Sequence, residues 1–273
     1  MEQYKINLHI TESCNYRCGY CFAHFGKKKD LPVDAWKKII RNIKGSGLIN
    51  AINFAGGEPV LYRGFSDLTM YAKSEGFDLS IISNGSLLLN PTYTPSILFK
   101  EFSTLGISID SFNPHTLCAL GCCDANKKTL STHELKEIVA VAKEIHPEIK
   151  IKLNTVVSKC NKDELIPHIE EDLPISRWKF FKIKEFDDNN FSNVGLLITD
   201  QEFDVFMNRN KRVRGETIAE RTLTRSYIMV DSQGNLVDDF GSSYQIVGNL
   251  LSEDFTEVFH RYKLDKRLYH QRY

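Results

Sequence analysis

The sequence predicts an α/β protein built on a partial (β/α)6 TIM barrel, on three observations. Six short apolar runs alternate with segments of helical period, a pattern that indicates a parallel sheet with helices packed outside it. The chain has 273 residues, which suits one large domain or one domain with a small appendage. Six repeats fall short of the eight that close a full barrel. The strand-like runs are residues 6–10, 51–54, 79–82, 105–109, 149–157 and 178–183.

Two of the intervening segments carry clear helical signals. Trp36, Ile39, Ile40 and Ile43 share one helical face, with Pro32 near the start of that segment. The second apolar face, from residues 135 to 145, follows a capping-box spacing of Ser131 and Glu134, which predicts where the helix begins.

The pattern changes after residue 183, so we predict a barrel over residues 1–185 and a C-terminal extension over residues 186–273. Thr199 and Glu202 repeat the capping-box spacing and predict a helix over residues 199–208. The basic run 209–225 has no apolar period. Residues 226–230 and 235–240 flank a Gly-containing turn and predict a hairpin, and a last helix is expected near residues 252–262. The basic and aromatic tail after it is predicted to be a solvated, frayed terminus.

Composition and charge exclude several classes of protein. Basic and acidic residues both number 35, so the formal net charge is +0 and gives no general attraction to nucleic acid or to an anionic membrane. The sequence has no apolar stretch of spanning length and no signal-peptide core after Met1. We therefore expect a cytoplasmic protein without a membrane or direct nucleic-acid partner. In a reducing compartment, clustered cysteines indicate metal or redox chemistry.

The most informative segment is Cys14-Asn-Tyr-Arg-Cys18-Gly-Tyr-Cys21, directly after the first strand. One short loop can present three thiolates to a single iron–sulfur cluster, and three ligands leave one iron of a [4Fe–4S] cube open. The alternative, a structural zinc site, needs four ligands, and His24 is the only nearby candidate for the fourth. The sequence therefore favours a cluster.

These cysteines carry a resemblance to a known superfamily. CxxxCxxC with Tyr20 before the last cysteine resembles the radical S-adenosylmethionine (SAM) superfamily, and Gly56-Gly57-Glu58-Pro59 at the second strand end resembles its GGEP motif. The order and spacing of CNYRCGYCF, INFAGGEP, IISNGSL, ISIDSFN, IKLNTVVSKCN and RWKFFKI is similar to viperin and its prokaryotic homologues. The resemblance runs from Asn7 to about Val230.

The resemblance implies both an activity and its cofactors. Members use a [4Fe–4S] cluster and SAM to form a 5′-deoxyadenosyl radical, which takes the ribose 4′-hydrogen of a nucleoside triphosphate (CTP, UTP or GTP). Loss of the 3′-hydroxyl as water then gives a 3′-deoxy-3′,4′-didehydro nucleotide, an RNA chain terminator in antiviral defence. It further implies an electron donor of the flavodoxin or ferredoxin type and a C-terminal extension that covers the nucleotide site.

The resemblance also assigns roles to residues. Cys14, Cys18 and Cys21 would bind the cluster. The SAM site would contain Tyr20, Gly56, Gly57, Glu58 and Ser108. The nucleotide site would contain Asn7, Asn53, Lys152, Asn154, Arg177 and Lys179. Tyr227 matches a position near the ribose, where a phenol, which stays protonated at neutral pH, can donate a proton to the departing hydroxyl.

Strand alternation supports the nucleotide site independently. Lys152 and Asn154 are two residues apart on one strand, so their side chains share a face, as do those of Arg177 and Lys179. Cations that point into a barrel are costly unless an anion meets them, and a triphosphate is such an anion. The alternative places Arg177 and Lys179 at a solvated strand end.

Two positions depart from the family pattern. Ala51 stands where the family has a phosphate-contacting lysine, and Cys122 stands where it has the arginine that meets the SAM carboxylate. Lys127, Lys128 and the basic run 209–225 are candidates to replace these contacts. Cys118, Cys122, Cys123 and Cys160 lack the spacing of a second cluster and are interpreted as buried or incidental thiols.

The sequence leaves three hypotheses open. The first is a radical SAM nucleotide dehydratase. The second is a radical SAM enzyme that acts on another small molecule or on a peptide. The third is a metal-stabilised binding protein with a structural cysteine loop.

Overall fold

A computed structural model describes residues 2–21, 23, 29–169, 173–187, 191–213, 216–220 and 224–272. The strands are β1 (Tyr4–His9), β2 (Ile49–Ala55), β3 (Asp78–Ser83), β4 (Thr104–Ser108), β5 (Lys150–Val157), β6 (Ile175–Lys182), β7 (Glu216–Glu220), β8 (Ile228–Val230), β9 (Asn235–Asp238) and β10 (Gln245–Asn249). The helices are α1 (Val33–Gly45), α2 (Phe65–Ser74), α3 (Pro114–Ala119), α4 (Thr132–Ile145), α5 (Asp200–Arg209), α6 (Phe255–Arg261) and α7 (Lys266–Arg272).

These strands form one sheet with a parallel centre, in the order β10-β9-β8-β1-β2-β3-β4-β5-β6-β7. Each neighbouring pair from β1 to β7 is parallel, β8 is also parallel to β1, and β9 and β10 turn antiparallel at one edge. The predicted α/β class and partial barrel are confirmed.

The predicted amphipathic helices bury the faces that their apolar periods indicate. Trp36, Ile39, Ile40 and Ile43 of α1 are fully buried. The capping boxes of α4 and α5 both form, since Ser131 and Thr199 accept hydrogen bonds from the amides of Glu134 and Glu202. Because each cap satisfies backbone donors that the helix leaves unpaired, these two helix starts are readable from sequence.

The C-terminal half follows the prediction in part. The hairpin is confirmed as β8 and β9. The basic run 209–225 contains strand β7, which pairs in parallel with β6 at the edge of the sheet. The sequence did not indicate this strand, because the run has no apolar period. The prediction of a frayed tail is wrong: α7 is helical, and its Tyr269 and Arg272 are buried.

Within the part of the chain that the structure describes, no helix has the length and apolar character needed to cross a bilayer.

Candidate active site

Alternation along the parallel strands brings the predicted nucleotide residues to one face of the sheet. Strand register aligns Asn7 with Asn53, Asn53 with Ser80, Lys152 with Arg177, and Asn154 with Lys179. Residues that are aligned in neighbouring strands point to the same side of a sheet. The interior of the barrel is therefore polar at these levels.

A chain of hydrogen bonds fixes the asparagines of this face. Ser80 Oγ donates to Asn53 Oδ1 at 2.9 Å, and Asn53 Nδ2 donates to Asn7 Oδ1 at 2.9 Å. Asn7 Nδ2 in turn donates to the carbonyl of Ile228 on β8, 3.1 Å away. Asn7 and Asn53 are both buried. Ser80 was not predicted as a site residue, although its position in the alternation of β3 would have indicated it.

Lys152, Arg177 and Lys179, which we call the cationic cluster, face the same interior. Burial, and then the charges of Lys5, Arg177 and Lys179, lower the pKa of Lys152 to about 8. Lys179 is only 6% exposed, and its ammonium donates to the Arg272 carbonyl at 2.9 Å. Arg177 Nη1 donates to that same carbonyl at 3.1 Å. The two cations thus meet the last turn of α7 rather than a solvated strand end.

Tyr227 lies against this cluster. Lys179 Nζ is 3.4 Å from the Tyr227 hydroxyl oxygen and 5.8 Å from the centre of its ring. The Arg272 guanidinium also lies 5.8 Å from that ring centre. Tyr262 donates a hydrogen bond of 2.8 Å to the Tyr227 carbonyl, which holds the residue just before β8.

The cysteine loop, residues 14–21, lies beyond the carboxyl end of β1. Two backbone hydrogen bonds of 2.9 Å hold it to the segment after α3. The Arg17 amide donates to the Gly121 carbonyl, and the Gly19 amide donates to the Leu120 carbonyl. Burial is the main cause that raises the pKa of Cys14 to about 11 and that of Cys21 to about 12. The charge of Cys18 contributes to both shifts, so the three thiols share one neighbourhood.

The glycines at the end of β2 make room for this loop. The amide of Gly57 donates to the Thr11 carbonyl at 2.7 Å, and the amide of Glu58 donates to the Ser13 carbonyl at 2.8 Å. A Cβ atom at Gly56 would collide with the Thr11 carbonyl, and one at Gly57 with the Ser13 carbonyl. The lack of side chains at both positions is therefore needed to dock the backbone that leads into Cys14.

Glu58 is buried and bonded within the protein. Its carboxylate accepts hydrogen bonds of 2.8 Å from the Ser83 hydroxyl and from the Asn84 amide. Burial raises its pKa to about 7 despite these bonds. Asn84 Nδ2 in turn lies 3.7 Å from Cys14 Sγ. Through Asn84, Glu58 therefore connects the ends of β2 and β3 to the cysteine loop.

Cys122 is buried, as one of the two predicted alternatives has it, and it contacts the cysteine loop. Its sulfur lies 3.5 Å from Cys18 Sγ and 3.0 Å from the Tyr20 hydroxyl oxygen. Tyr20 also donates to the buried carboxylate of Asp110, whose pKa burial raises to about 6. No local pattern indicated this contact, because Cys18 and Cys122 meet only through the docking of the cysteine loop. Cys160, by contrast, is exposed.

Among the described residues, several candidate replacements for the missing cations pair with acidic side chains. Lys127 and Lys128 are exposed, and Lys128 pairs with Glu134 at 2.8 Å. In the basic run, Arg209 pairs with Asp163 and Arg225 with Asp238. Residues 214–215 and 221–223 of that run lie outside the described residues.

The donor set of the loop fits an iron–sulfur cluster. In the described residues, which do not include His24, no three His, Cys, Asp or Glu side chains converge as ligands of a single ion would. Three thiols on one loop suit a cube instead, since each would bind a different iron. Iron would also offset the cost of ionising these thiols, since burial is the main cause that raises the pKa values of Cys14 and Cys21. Cys18, Ser108, Asn84 and Cys122 line a cavity of about 40 Å³ beside the loop.

Comparison with known proteins places the chain among characterised families. Residues 8–172 match the radical SAM superfamily. A protein of Selenomonas ruminantium named S-adenosylmethionine-dependent nucleotide dehydratase is 51% identical over 99% of this chain and 98% of its own length. A protein of the same name from Psychrobacter lutiphocae is 32% identical over 98% of this chain and 94% of its own.

Solved structures support the fold. Streptococcus suis SuiB bound to its precursor peptide SuiA has a TM-score of 0.69 at 15% identity, and covers 98% of this chain and 66% of that one. The structure of anSMEcpe with bound AdoMet and the Cp18Cys peptide has a TM-score of 0.65 at 16% identity, over 98% and 82% of the two chains. The chain is thus a radical SAM enzyme that uses a [4Fe–4S] cluster and SAM, and it belongs to the viperin-like family of SAM-dependent nucleotide dehydratases.

Proposed function

We propose that this enzyme converts a nucleoside triphosphate (CTP, UTP or GTP) to its 3′-deoxy-3′,4′-didehydro analogue, which would end viral RNA chains in antiviral defence. The observation that carries the proposal is the polarity of the barrel interior. The cysteine loop follows the carboxyl end of β1, the asparagines lie at mid-height, and the cationic cluster faces the same interior. A nucleotide with its ribose toward the cysteines would direct its phosphates to the cations.

The binding residues suit a polyanion that carries a ribose. Arg177 offers a planar fork for bidentate contact with phosphate oxygens, while Lys152 and Lys179 act as point charges. Asn7 and Asn53 are held by mutual hydrogen bonds, so they would present fixed polar groups to the sugar or base. Arg177 and Lys179 both donate hydrogen bonds to the Arg272 carbonyl. A bound phosphate would replace this carbonyl as their acceptor.

Tyr227 is suited to supply the proton that dehydration needs. When bound, the cluster and SAM would supply the radical that removes the ribose 4′-hydrogen. The 3′-hydroxyl then leaves as water only if it gains a proton, and the Tyr227 phenol would donate that proton. The neighbouring Lys179 ammonium would stabilise the phenolate left behind. The electron that completes the product would come from a donor of the flavodoxin or ferredoxin type, for which we propose a cytoplasmic setting.

The test is an anaerobic reaction of the iron- and sulfide-reconstituted protein with SAM, dithionite and CTP, UTP or GTP in turn. Mass spectrometry should find 5′-deoxyadenosine and a nucleotide lighter by one water for at least one triphosphate. Cys21→Ala should lose bound iron and both products, whereas Cys160→Ala, which alters an exposed thiol, should retain them.

Two results would redirect the assignment. Formation of 5′-deoxyadenosine without a dehydrated nucleotide from any of the three triphosphates would favour another small molecule or a peptide as substrate. Recovery of zinc instead of iron and sulfide would indicate a structural cysteine loop.

A further inference from the structure

A cavity of about 420 Å³ opens at the amino-terminal end of the barrel strands. Its lining includes Lys5 of β1, Ala51 of β2, Asp78 of β3, Thr104 of β4, and Lys150 and Lys152 of β5. Lys152 belongs to the cationic cluster, so the cavity borders the proposed nucleotide site. Lys5 is a residue of this lining to which neither the motifs nor the resemblance assigns a role.

Strand register places Lys5 beside Ala51. The two residues are aligned in neighbouring parallel strands, and Lys5 lies two residues before Asn7, on the same face. Ala51 carries only a methyl group, so β2 offers no charge at this level. The Lys5 ammonium lies 3.4 Å from the Ser80 hydroxyl oxygen, the group that begins the Ser80–Asn53–Asn7 chain. Lys5 is thus tied to the polar interior as well as to the cavity.

The surroundings of Lys5 contain charges of both signs. Burial is the largest cause that lowers its pKa; the charge of Asp78 comes next and raises the pKa, and the charges of Lys150 and Arg177 lower it further. Lys5 is also the first of the charges that lower the pKa of Lys152. Like charges held together in a buried space are unfavourable unless an anion joins them.

The distances along the barrel suit a polyphosphate. Strands rise about 3.3 Å per residue, so Lys5 lies roughly 16 Å from Ile10, which follows β1 and precedes the cysteine loop. Asn7 lies between these two levels. A nucleoside with its ribose near the loop would therefore extend its outer phosphates toward Lys5.

We propose that Lys5 is a further phosphate-binding residue, which contacts the outer phosphates of the nucleoside triphosphate from β1 at the level where β2 has only Ala51. The inference rests on the proposed function, since it specifies how the same site holds its substrate. It also explains how the chain tolerates a small apolar residue at position 51.

The experiment measures CTP, UTP and GTP binding to the reconstituted enzyme by anaerobic calorimetry, with inorganic tripolyphosphate as a second probe. Lys5→Met keeps most of the side-chain length and removes the charge, and the Lys5 amide keeps its hydrogen bond to the Tyr269 hydroxyl. We expect affinity for the triphosphate and for tripolyphosphate to fall about tenfold or more, the scale of one charged hydrogen bond. Lys100→Ala, an exposed lysine outside the cavity, is the matched control and should bind as the parent does.

A relocated charge separates phosphate binding from a structural role. Lys5→Met combined with Ala51→Lys puts an ammonium on the adjacent strand at the same level, and should restore most of the affinity. Thermal unfolding of each variant shows whether Lys5 only stabilises the fold, by offsetting the charge of Asp78. Unchanged triphosphate affinity in Lys5→Met, with or without a lower stability, would overturn the role of Lys5 and leave the proposed function standing. A parent enzyme that binds none of the three triphosphates would overturn both.

Discussion

The pKa of Lys152 is linked to the charge of whatever the site binds. An ordinary lysine stays charged far above neutral pH, but the pKa of Lys152 is lowered to about 8 because it is partly buried among other cations. A bound triphosphate would remove that penalty, since it favours the charged form. Binding and protonation of Lys152 should therefore be coupled.

This coupling predicts a pH dependence of affinity. Above a pH of about 8 the empty site has released the Lys152 proton, so binding must take one up, and affinity should fall as the pH rises from about 7 to about 9. The limiting slope is about tenfold per pH unit for one proton. Calorimetry across this range checks it. Lys152→Arg, whose charge persists, should flatten the profile, and a flat profile in the parent enzyme would refute the coupling.

Tyr227 gives a second prediction at the residue scale. Tyr227→Phe removes the hydroxyl near Lys179 and leaves the ring, so triphosphate binding and 5′-deoxyadenosine formation should persist. Dehydrated nucleotide should fall about a hundredfold or more relative to 5′-deoxyadenosine, the usual scale of a missing proton donor. Mass spectrometry of both products gives the ratio. An unchanged ratio would remove Tyr227 from the mechanism.

The end of β2 is the element on which the cysteine loop depends. Gly57 and Glu58 donate backbone hydrogen bonds to the residues that lead into Cys14, and neither Gly56 nor Gly57 leaves space for a methyl group. Glu58 extends the same junction to β3 through Ser83 and Asn84. The geometry of the thiols is thus set by contacts between elements rather than by the loop alone.

Gly57→Ala tests this dependence. The new Cβ would overlap the Ser13 carbonyl, so the loop must shift, and we expect stability to fall by about 1–3 kcal/mol together with a marked decrease in bound iron. Iron analysis after reconstitution and thermal unfolding check the two effects. Gly45→Ala is the control, because no atom lies within 4 Å of a Cβ there and its stability should be unchanged or slightly higher. Normal iron content in Gly57→Ala would show that the loop does not depend on this junction.

The whole barrel is polarised from one end to the other. The cysteine loop lies beyond the carboxyl end of β1, whereas Lys5, Lys150 and Lys152 surround a cavity toward the strands' amino ends. Helix α7 packs at this end of the barrel. Its Arg272 carbonyl accepts hydrogen bonds from Arg177 and Lys179, and its Tyr269 hydroxyl accepts one from β1. A chain of zero net charge therefore contains a strongly basic interior.

This polarity predicts recognition by phosphate number. Affinity should fall from the nucleoside triphosphate to the diphosphate and again to the nucleoside, by about tenfold or more for each charged hydrogen bond that the smaller ligand cannot make. Binding isotherms with CTP, CDP and cytidine, repeated for the UTP and GTP series, measure it. A diphosphate or nucleoside bound as tightly as the triphosphate would place the phosphates outside the cationic cluster.

Local patterns in the sequence were enough to predict the fold class, the iron–sulfur cluster and the faces of the strands, and the resemblance to the radical SAM superfamily added SAM. Strand alternation and cap spacing involve only near neighbours in the chain, so Lys152, Asn154 and the starts of α4 and α5 could be assigned from them. Register and docking between distant segments needed the folded molecule. They set Lys5 beside Ala51, brought Cys122 to Cys18, added β7 to the sheet, and packed α7 against the basic end of the barrel. These contacts join residues far apart in the chain, and no local pattern encodes their pairing.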